Sequence, residues 1–522
     1  MAQKQENQGP IESILNAMNP PVFIGSGAIV IFFVIFGAFF SETARWLFYG
    51  LQDFIVTYFG WSYIVSGTFF LVFVLWLMCS RYGSIRLGEE GDRPEFSYFS
   101  WFGMLFCAGM GTGLVFWGVA EPMGHYMKPP FAEPETYQSM KESLRFSFLH
   151  WGLHPLAIYS IFGASLAYYH FRLKLPLAPR SILYPIFGER IRGPIGHAVD
   201  ILCTVGTLFG VSTSLGLGAM QVNAGISQMW GIAHSTTVQI LIIAGITFVA
   251  TISVVSGIHK GIQRLSQTNI ILAFLLMLFV FLFGPTLFQI KIFFSTLGDY
   301  LQNLVDLSLW VDFRQGEKWQ KEWTLFYWSW WISWSPFVGV FVARISRGRT
   351  LREFLVSVLF VPALVTFVWL SVFGGTGLHL EFFQDIDIAG HVQENPAFGL
   401  HQLLQHLPMT AIMSFIATLV ILVFFVTSSD SGSLVDDMVT SGGHPNPPVA
   451  QRVFWAFSEG AVAAVLLYAG GLRALQTASL QSGLPLAIIL ILTCVGLVRM
   501  LRQDYKIEGG PEVTIKDESF GK

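Results

Sequence analysis

The chain has 522 residues, 53% of them hydrophobic and 12% charged, with a mean hydropathy of +0.58 and a formal net charge of −3. A soluble domain is closer to one quarter charged, so this composition excludes one and describes a polytopic membrane protein whose solvent is a lipid bilayer. The small net charge also offers no basic surface to nucleic acid.

Residues 1–20 are polar and read as an N-terminal segment with no cleavable leader. Apolar runs long enough to cross a bilayer then recur near 21–40, 61–79, 101–120, 144–169, 199–229, 236–257, 268–290, 323–344, 354–375, 408–432, 450–470 and 480–501. The expected fold class is therefore all-α, with about twelve spans within a membrane domain over 21–502 and a short tail of mixed charge over 503–522. The four cysteines, Cys79, Cys107, Cys203 and Cys494, lie in or beside apolar runs at no metal spacing and read as small packed residues.

Lys and Arg collect after the even spans: Arg81, Arg86 and Arg93 after span 2, Arg172 to Arg192 after span 4, Lys260 and Arg264 after span 6, and Arg344 to Arg352 after span 8. The positive-inside rule then puts the even loops and both termini in the cytoplasm. The stretch 291–312, between spans 7 and 8, has apolar residues at three- and four-residue spacing with polar ones between. It predicts an amphipathic helix too polar to span.

Two spans look interrupted. The middle of span 3 reads CAGMGTGLVFWG, with Gly109, Gly111 and Gly113 alternating, which weakens a helix. Span 8 carries Ser335-Pro336, where a backbone donor is missing. These are the first members of two five-span halves, 3–7 and 8–12. Interruptions at matching positions point to a transporter site at the bilayer midplane. Span 8 also holds Trp328, Trp330, Trp331 and Trp334. Several of these lie too far along the span to be interfacial belt residues, and indoles lining a pocket attract a quaternary cation.

Other chemistries are weaker. His150 and His154 share a helix face at ligand-like spacing, but the acid of a metalloprotease motif is missing and no third ligand is evident. Packed core histidines are the simpler reading, and no catalytic residue is assigned. No filter motif or charged ring suggests a channel, and no soluble domain suggests a sensor.

Four stretches, GMGTGLVFWGVAEP (109–122), FLHWGLHPLAIY (148–159), WSWWISWSPFVG with ARISRGRT (328–350) and FFVTSSDSGSL (424–434), resemble the betaine/choline/carnitine transporter family, in order and over essentially the whole membrane core. The resemblance implies twelve spans, a five-plus-five inverted repeat, a bacterial inner-membrane location and a homotrimer with 291–312 in its contact. It implies a substrate cage similar to Trp151, Tyr159 and Trp331, an adjacent path along Trp328, Trp330 and Trp334, and the glycines Gly111 and Gly113 beside the substrate. One departure is Leu156, where the family often has Trp. Phe337 or Phe341 is a candidate to compensate.

The resemblance further implies a sodium site like that formed by the backbone around Cys107 and Met110 with Phe424, Thr427 and Ser428, and a second near Ser212-Thr213 and Phe337. Sodium-independent members place an arginine near the first site. Spans 3, 5 and 10 have none buried, so sodium is the expected coupling ion, and no other cofactor is expected. Asp430 is an intramembrane acid and a functional suspect. Some choline-type relatives carry an acid at the position of Gly113. The expected substrate is a zwitterion of the glycine betaine or dimethylsulfoniopropionate class. Choline or carnitine transport, proton coupling and sodium-independent exchange are the alternatives.

Overall fold

The computed structural model describes residues 18–109, 111–256, 259–314, 318–444 and 447–507. Among them the protein is helical, with one isolated β-bridge, Arg86 to Thr350. The main helices are α1 (Pro20–Phe39), α2 (Ser41–Cys79), α3 (Tyr98–Gly109), α4 (Thr112–Met127), α5 (Tyr137–Trp151) and α6 (Leu153–Ala167). They continue with α7 (Pro194–Trp230), α8 (Thr236–Ser256), α9 (His259–Phe283), α10 (Thr286–Gln302) and α11 (Thr324–Arg344). The last three are α12 (Leu351–Gln384), α13 (Thr410–Thr440) and α14 (Val449–Ile507).

Among the described residues six helices are each long and apolar enough to cross a membrane, and α9 and α10 form a pair bent by 108°. This is an all-α polytopic membrane protein. α3 and α4 are separated by a break near Gly111, and α5 and α6 by a break at Gly152. α14 is two helices joined at Gly470 and Gly471, whose backbone leaves the helical region.

Three expectations need correction. Span 8 is unbroken: α11 runs straight through Ser335-Pro336. Pro336 cannot donate to the Ile332 carbonyl, but the Ser335 hydroxyl donates to that carbonyl at 2.7 Å, so the ladder stays satisfied. The second interruption lies instead at Gly152, where a Cβ would fall 2.4 Å from the Phe148 carbonyl oxygen and 2.8 Å from the Phe367 ring. Pro155, three residues on, removes a further donor. Finally, several boundaries move. α2 begins at Ser41 rather than 61, and α9 ends at Phe283. The amphipathic helix therefore starts at Thr286, after a 108° bend at Gly284-Pro285.

The loops after spans 2, 4 and 8 gather at one end of the bundle. Arg347 pairs with Asp92 at 3.2 Å and Lys174 with Glu89 at 2.8 Å, while Arg172 pairs with Asp504 of α14. Arg349 stacks over Trp101 and Tyr98. At the other end Arg145 meets Asp299 at 3.5 Å and Lys321 pairs with Asp53.

Candidate functional site

α11 passes through the middle of the bundle, packed on α6, α7 and α14. At 100° per residue, Tyr327, Trp330, Trp331, Trp334 and Phe337 form one stripe along it. Their rings make a ladder. Trp330 stacks on Trp331 at 4.8 Å and 13°, and Trp334 follows Trp330 at 6.2 Å and Phe337 follows Trp334 at 5.5 Å. Opposite this ladder, the end of α5 and the middle of α6 present Trp151 and Tyr159. Trp151 meets Trp331 edge to face at 4.9 Å and 72°, and Tyr159 meets it at 6.2 Å and 83°. Trp151, Tyr159, Trp330 and Trp331 are each 1% exposed. The rings touch one another.

The broken helix α3–α4 closes this box. A Cβ at Gly113 would lie 2.7 Å from Trp330 Cη2 and 3.3 Å from Trp151 Cη2. Only a glycine lets the backbone of α4 come this close to both indoles.

Trp328 is not part of the box. It stands about 120° from the middle of the α11 stripe. Its ring stacks on His154 at 5.0 Å, and its indole nitrogen would lie 2.7 Å from a Cβ at Gly67 of α2. Leu156 is buried at 1% exposure. Phe337 reaches the lower end of the ladder through Trp334.

The interrupted helix also meets α13. A Cβ at Gly111 would lie 3.4 Å from Ser428 Oγ. Thr427 donates to the carbonyls of Val423 and Phe424 at 2.9 and 3.2 Å, the bond-back that a helix hydroxyl makes on its own. Phe424 is buried at 8% exposure. Met110 and the Cys107 side chain lie outside the described residues. Ser212 and Thr213 both turn toward α14, donating to the Glu459 and Leu475 carbonyls at 3.1 and 3.0 Å.

Glu121, on α4, is the residue that the sequence reading passed over. Its carboxylate is fully buried and sits among α4, α5 and α11. Oε1 is bonded to His150 Nδ1 at 2.7 Å and His125 Nε2 at 3.2 Å. Oε2 accepts from Trp151 Nε1 at 2.7 Å and from the Tyr327 hydroxyl. The far nitrogen of His150 meets the Thr324 hydroxyl at 3.0 Å. Trp331 Nε1 donates to the His150 carbonyl at 2.9 Å, near the end of α5, where helix carbonyls run out of partners. One carboxylate thus orients Trp151 directly and backs Trp331 through His150. An acid in an apolar span is itself the signal that could have found it.

Glu121, His125 and His150 offer ligand atoms within 4.8 Å of one another. Both histidines meet Oε1 at hydrogen-bond lengths while Trp151 and Tyr327 hold Oε2, so both carboxylate oxygens are already satisfied by hydrogen bonds, and His125 Nδ1 is left without a partner. His154 stacks on Trp328 and has no hydrogen-bond partner, and no third ligand joins it to His150 among the described residues.

A helical membrane bundle with an interrupted helix meeting a buried aromatic box is the architecture of a secondary carrier. The family model described as BCCT, betaine/carnitine/choline family transporter, matches residues 21–506, and the chain belongs to that family. It is 43% identical over 483 residues to a probable glycine betaine transporter of Desulfitobacterium hafniense, covering 92% of this chain and 97% of that one. It is 44% identical to the glycine betaine transporter OpuD of Bacillus subtilis, over 90% and 92% of the two chains. It is 40% identical to the osmo-dependent choline transporter BetT2 of Acinetobacter baylyi, over 94% and 72%. The protein is a membrane transporter and not an enzyme.

Proposed function

We propose that the protein is a sodium-coupled symporter that imports a small zwitterion, glycine betaine or a close analogue such as dimethylsulfoniopropionate. The observation that carries this reading is the convergence of Trp151 and Tyr159, edge to face, on the indole of Trp331. Aromatic faces in a desolvated site hold a fixed cation with ~2 kcal/mol or more per good contact. The free N–H groups at the start of α4 and its helix dipole suit the carboxylate of a zwitterion. The relatives named glycine betaine transporters support the same class.

In this reading sodium binds where Gly111 meets Thr427 and Ser428, with Phe424 and the backbone around Cys107 and Met110 completing the site, and orders the break between α3 and α4. The headgroup then enters the Trp151–Tyr159–Trp331 cage, with Trp330 and Trp334 lining the path. Rocking of the bundle carries both inward. The setting is a bacterial cytoplasmic membrane with both termini inside. The exposed apolar face of α10 (Leu287, Ile290, Phe294 and Leu301) is the expected trimer contact.

Choline is the second reading, supported by the choline transporter among the relatives. The packing of Gly113 speaks for the zwitterion, since an acidic side chain there has to displace Trp330. Uptake of radiolabelled glycine betaine into proteoliposomes, with and without an inward sodium gradient, tests the proposal. Dimethylsulfoniopropionate, choline and carnitine serve as competitors. Uptake indifferent to sodium and dependent on internal substrate would make the protein an exchanger, and uptake that follows a proton gradient would make it proton-coupled.

A further inference from the structure

Ser429, Gly432, Ser433 and Asp436 stand at i, i+3, i+4 and i+7 of α13 and share one face of it. That face meets Glu459 of α14. Glu459 Oε2 accepts from the Ser429 hydroxyl at 3.1 Å. Its Oε1 lies 2.9 Å from where a Cβ on Gly432 would stand, so the carboxylate runs along the stripe over the one position without a side chain. The backbone carbonyl of Glu459 accepts from Ser212 of α7 at 3.1 Å, which fixes the residue between three helices.

Asp436 and Glu459 are each 0% exposed. Both carboxylate oxygens of Asp436 and Oε1 of Glu459 have no hydrogen-bond partner. The Ser433 hydroxyl faces Glu459 without completing a hydrogen bond to it. The surrounding charges do not neutralise the pair. Asp437, the next residue of α13, adds a third acid facing both Asp436 and Glu459, and Arg452 of α14 faces Asp437 and Asp430. Arg344 of α11 reaches the Met438 sulfur, and Arg180 is held by Asp200 of α7. Cys203 of α7 lies beside Asp436. α8 carries no ionisable residue, and those of α9, His259, Lys260 and Arg264, fall where side chains are not described. Among the described residues, no cationic side chain pairs with Asp436 or Glu459.

A carboxylate taken out of water without a partner is too costly to persist bare. It needs a cation. We propose that Asp436 and Glu459, with the hydroxyls of Ser429 and Ser433, form a binding site for a monovalent cation, a proton or an alkali ion. The site is separate from the one proposed at Thr427 and Ser428. It begins one residue beyond them and reaches about 12 Å further along α13, which makes it a second stop for a cation moving through the bundle. It depends on neither the aromatic cage nor the Thr427–Ser428 reading.

The test uses the full-length transporter in proteoliposomes. Dicyclohexylcarbodiimide adds to protonated carboxyl groups in apolar surroundings, and mass spectrometry locates the adduct. A proton site predicts labelling at Asp436 or Glu459 that falls several-fold as pH rises. An alkali-ion site predicts labelling that falls several-fold at fixed pH when sodium replaces N-methylglucamine. Labelling absent from both residues, or indifferent to both pH and sodium, overturns the proposal.

Asp436→Asn and Glu459→Gln keep the shape and remove the charge. They are expected either to lose one equivalent of bound radiosodium or to flatten the pH profile of uptake. If both variants keep the wild-type sodium stoichiometry and pH profile, the residues are structural, whatever happens to the rate. The labelling of the wild-type protein stands as a test even where a variant fails to fold.

Discussion

Removing Glu121 should loosen the aromatic box without touching its rings. In Glu121→Ala the Trp151 indole N–H and the Tyr327 hydroxyl lose their shared acceptor, and His150 loses its bond at 2.7 Å. Each buried donor left unpaired costs about 1–3 kcal/mol, so the two donors on Oε2 alone sum to roughly 2–6 kcal/mol of lost stability. If Trp151 then leaves its edge-to-face position on Trp331, one cation–ring contact of ~2 kcal/mol disappears. That corresponds to roughly 30-fold in affinity. Glu121→Gln is a milder perturbation. Its amide oxygen can still accept from Trp151 and Tyr327, and its NH2 group meets two imidazoles that can change tautomer to accept. We expect a loss of about 1 kcal/mol, roughly fivefold in affinity. The assay pairs the KM of betaine uptake in proteoliposomes with thermal unfolding of the purified protein. Glu121→Ala with wild-type KM and wild-type melting temperature would refute the idea that this carboxylate positions the box.

Trp331→Ala should weaken substrate by roughly 30-fold or more while the protein still folds; uptake kinetics unchanged from wild type would remove Trp331 from the site. Trp328→Phe should leave KM unchanged and lower the melting temperature, because Trp328 packs on His154 and α2; a raised KM would return it to the substrate path. Thr427→Ala combined with Ser428→Ala should raise the sodium concentration needed for half-maximal uptake, and an unaltered sodium dependence counts against the site. Gly152→Ala places a Cβ against the Phe148 carbonyl oxygen. Relieving a backbone clash of this kind should cost at least about 1–3 kcal/mol, read as lost yield of folded protein in size-exclusion chromatography; normal yield and stability would show that the α5–α6 break tolerates a side chain.

What could be read along the chain was whatever repeats locally. Lipid demands long apolar runs, so the all-α polytopic class of the fold was visible in hydropathy. The α11 stripe was also legible in principle. At 100° per residue Trp328 falls outside the face shared by Trp330, Trp331 and Trp334, and that separation needed only a helical wheel. Long-range packing was not legible. Ser335 and Pro336 look like a break until the hydroxyl is seen to replace the missing N–H at Ile332. Gly152 looks like an ordinary glycine until Phe367 of α12 is seen against it.

The same holds for polar groups. Glu121, His150 and Tyr327 are far apart in sequence, and so are Asp436 and Glu459. An isolated acid in an apolar run announces only that burying it is expensive. Whether that expense is met by four hydrogen bonds, as at Glu121, or left open, as at Asp436, depends on which other helices arrive beside it. Hydrophobic patterning acts residue by residue along the chain, whereas hydrogen bonding and close packing act between neighbours in space, and those neighbours exist only once the bundle has assembled.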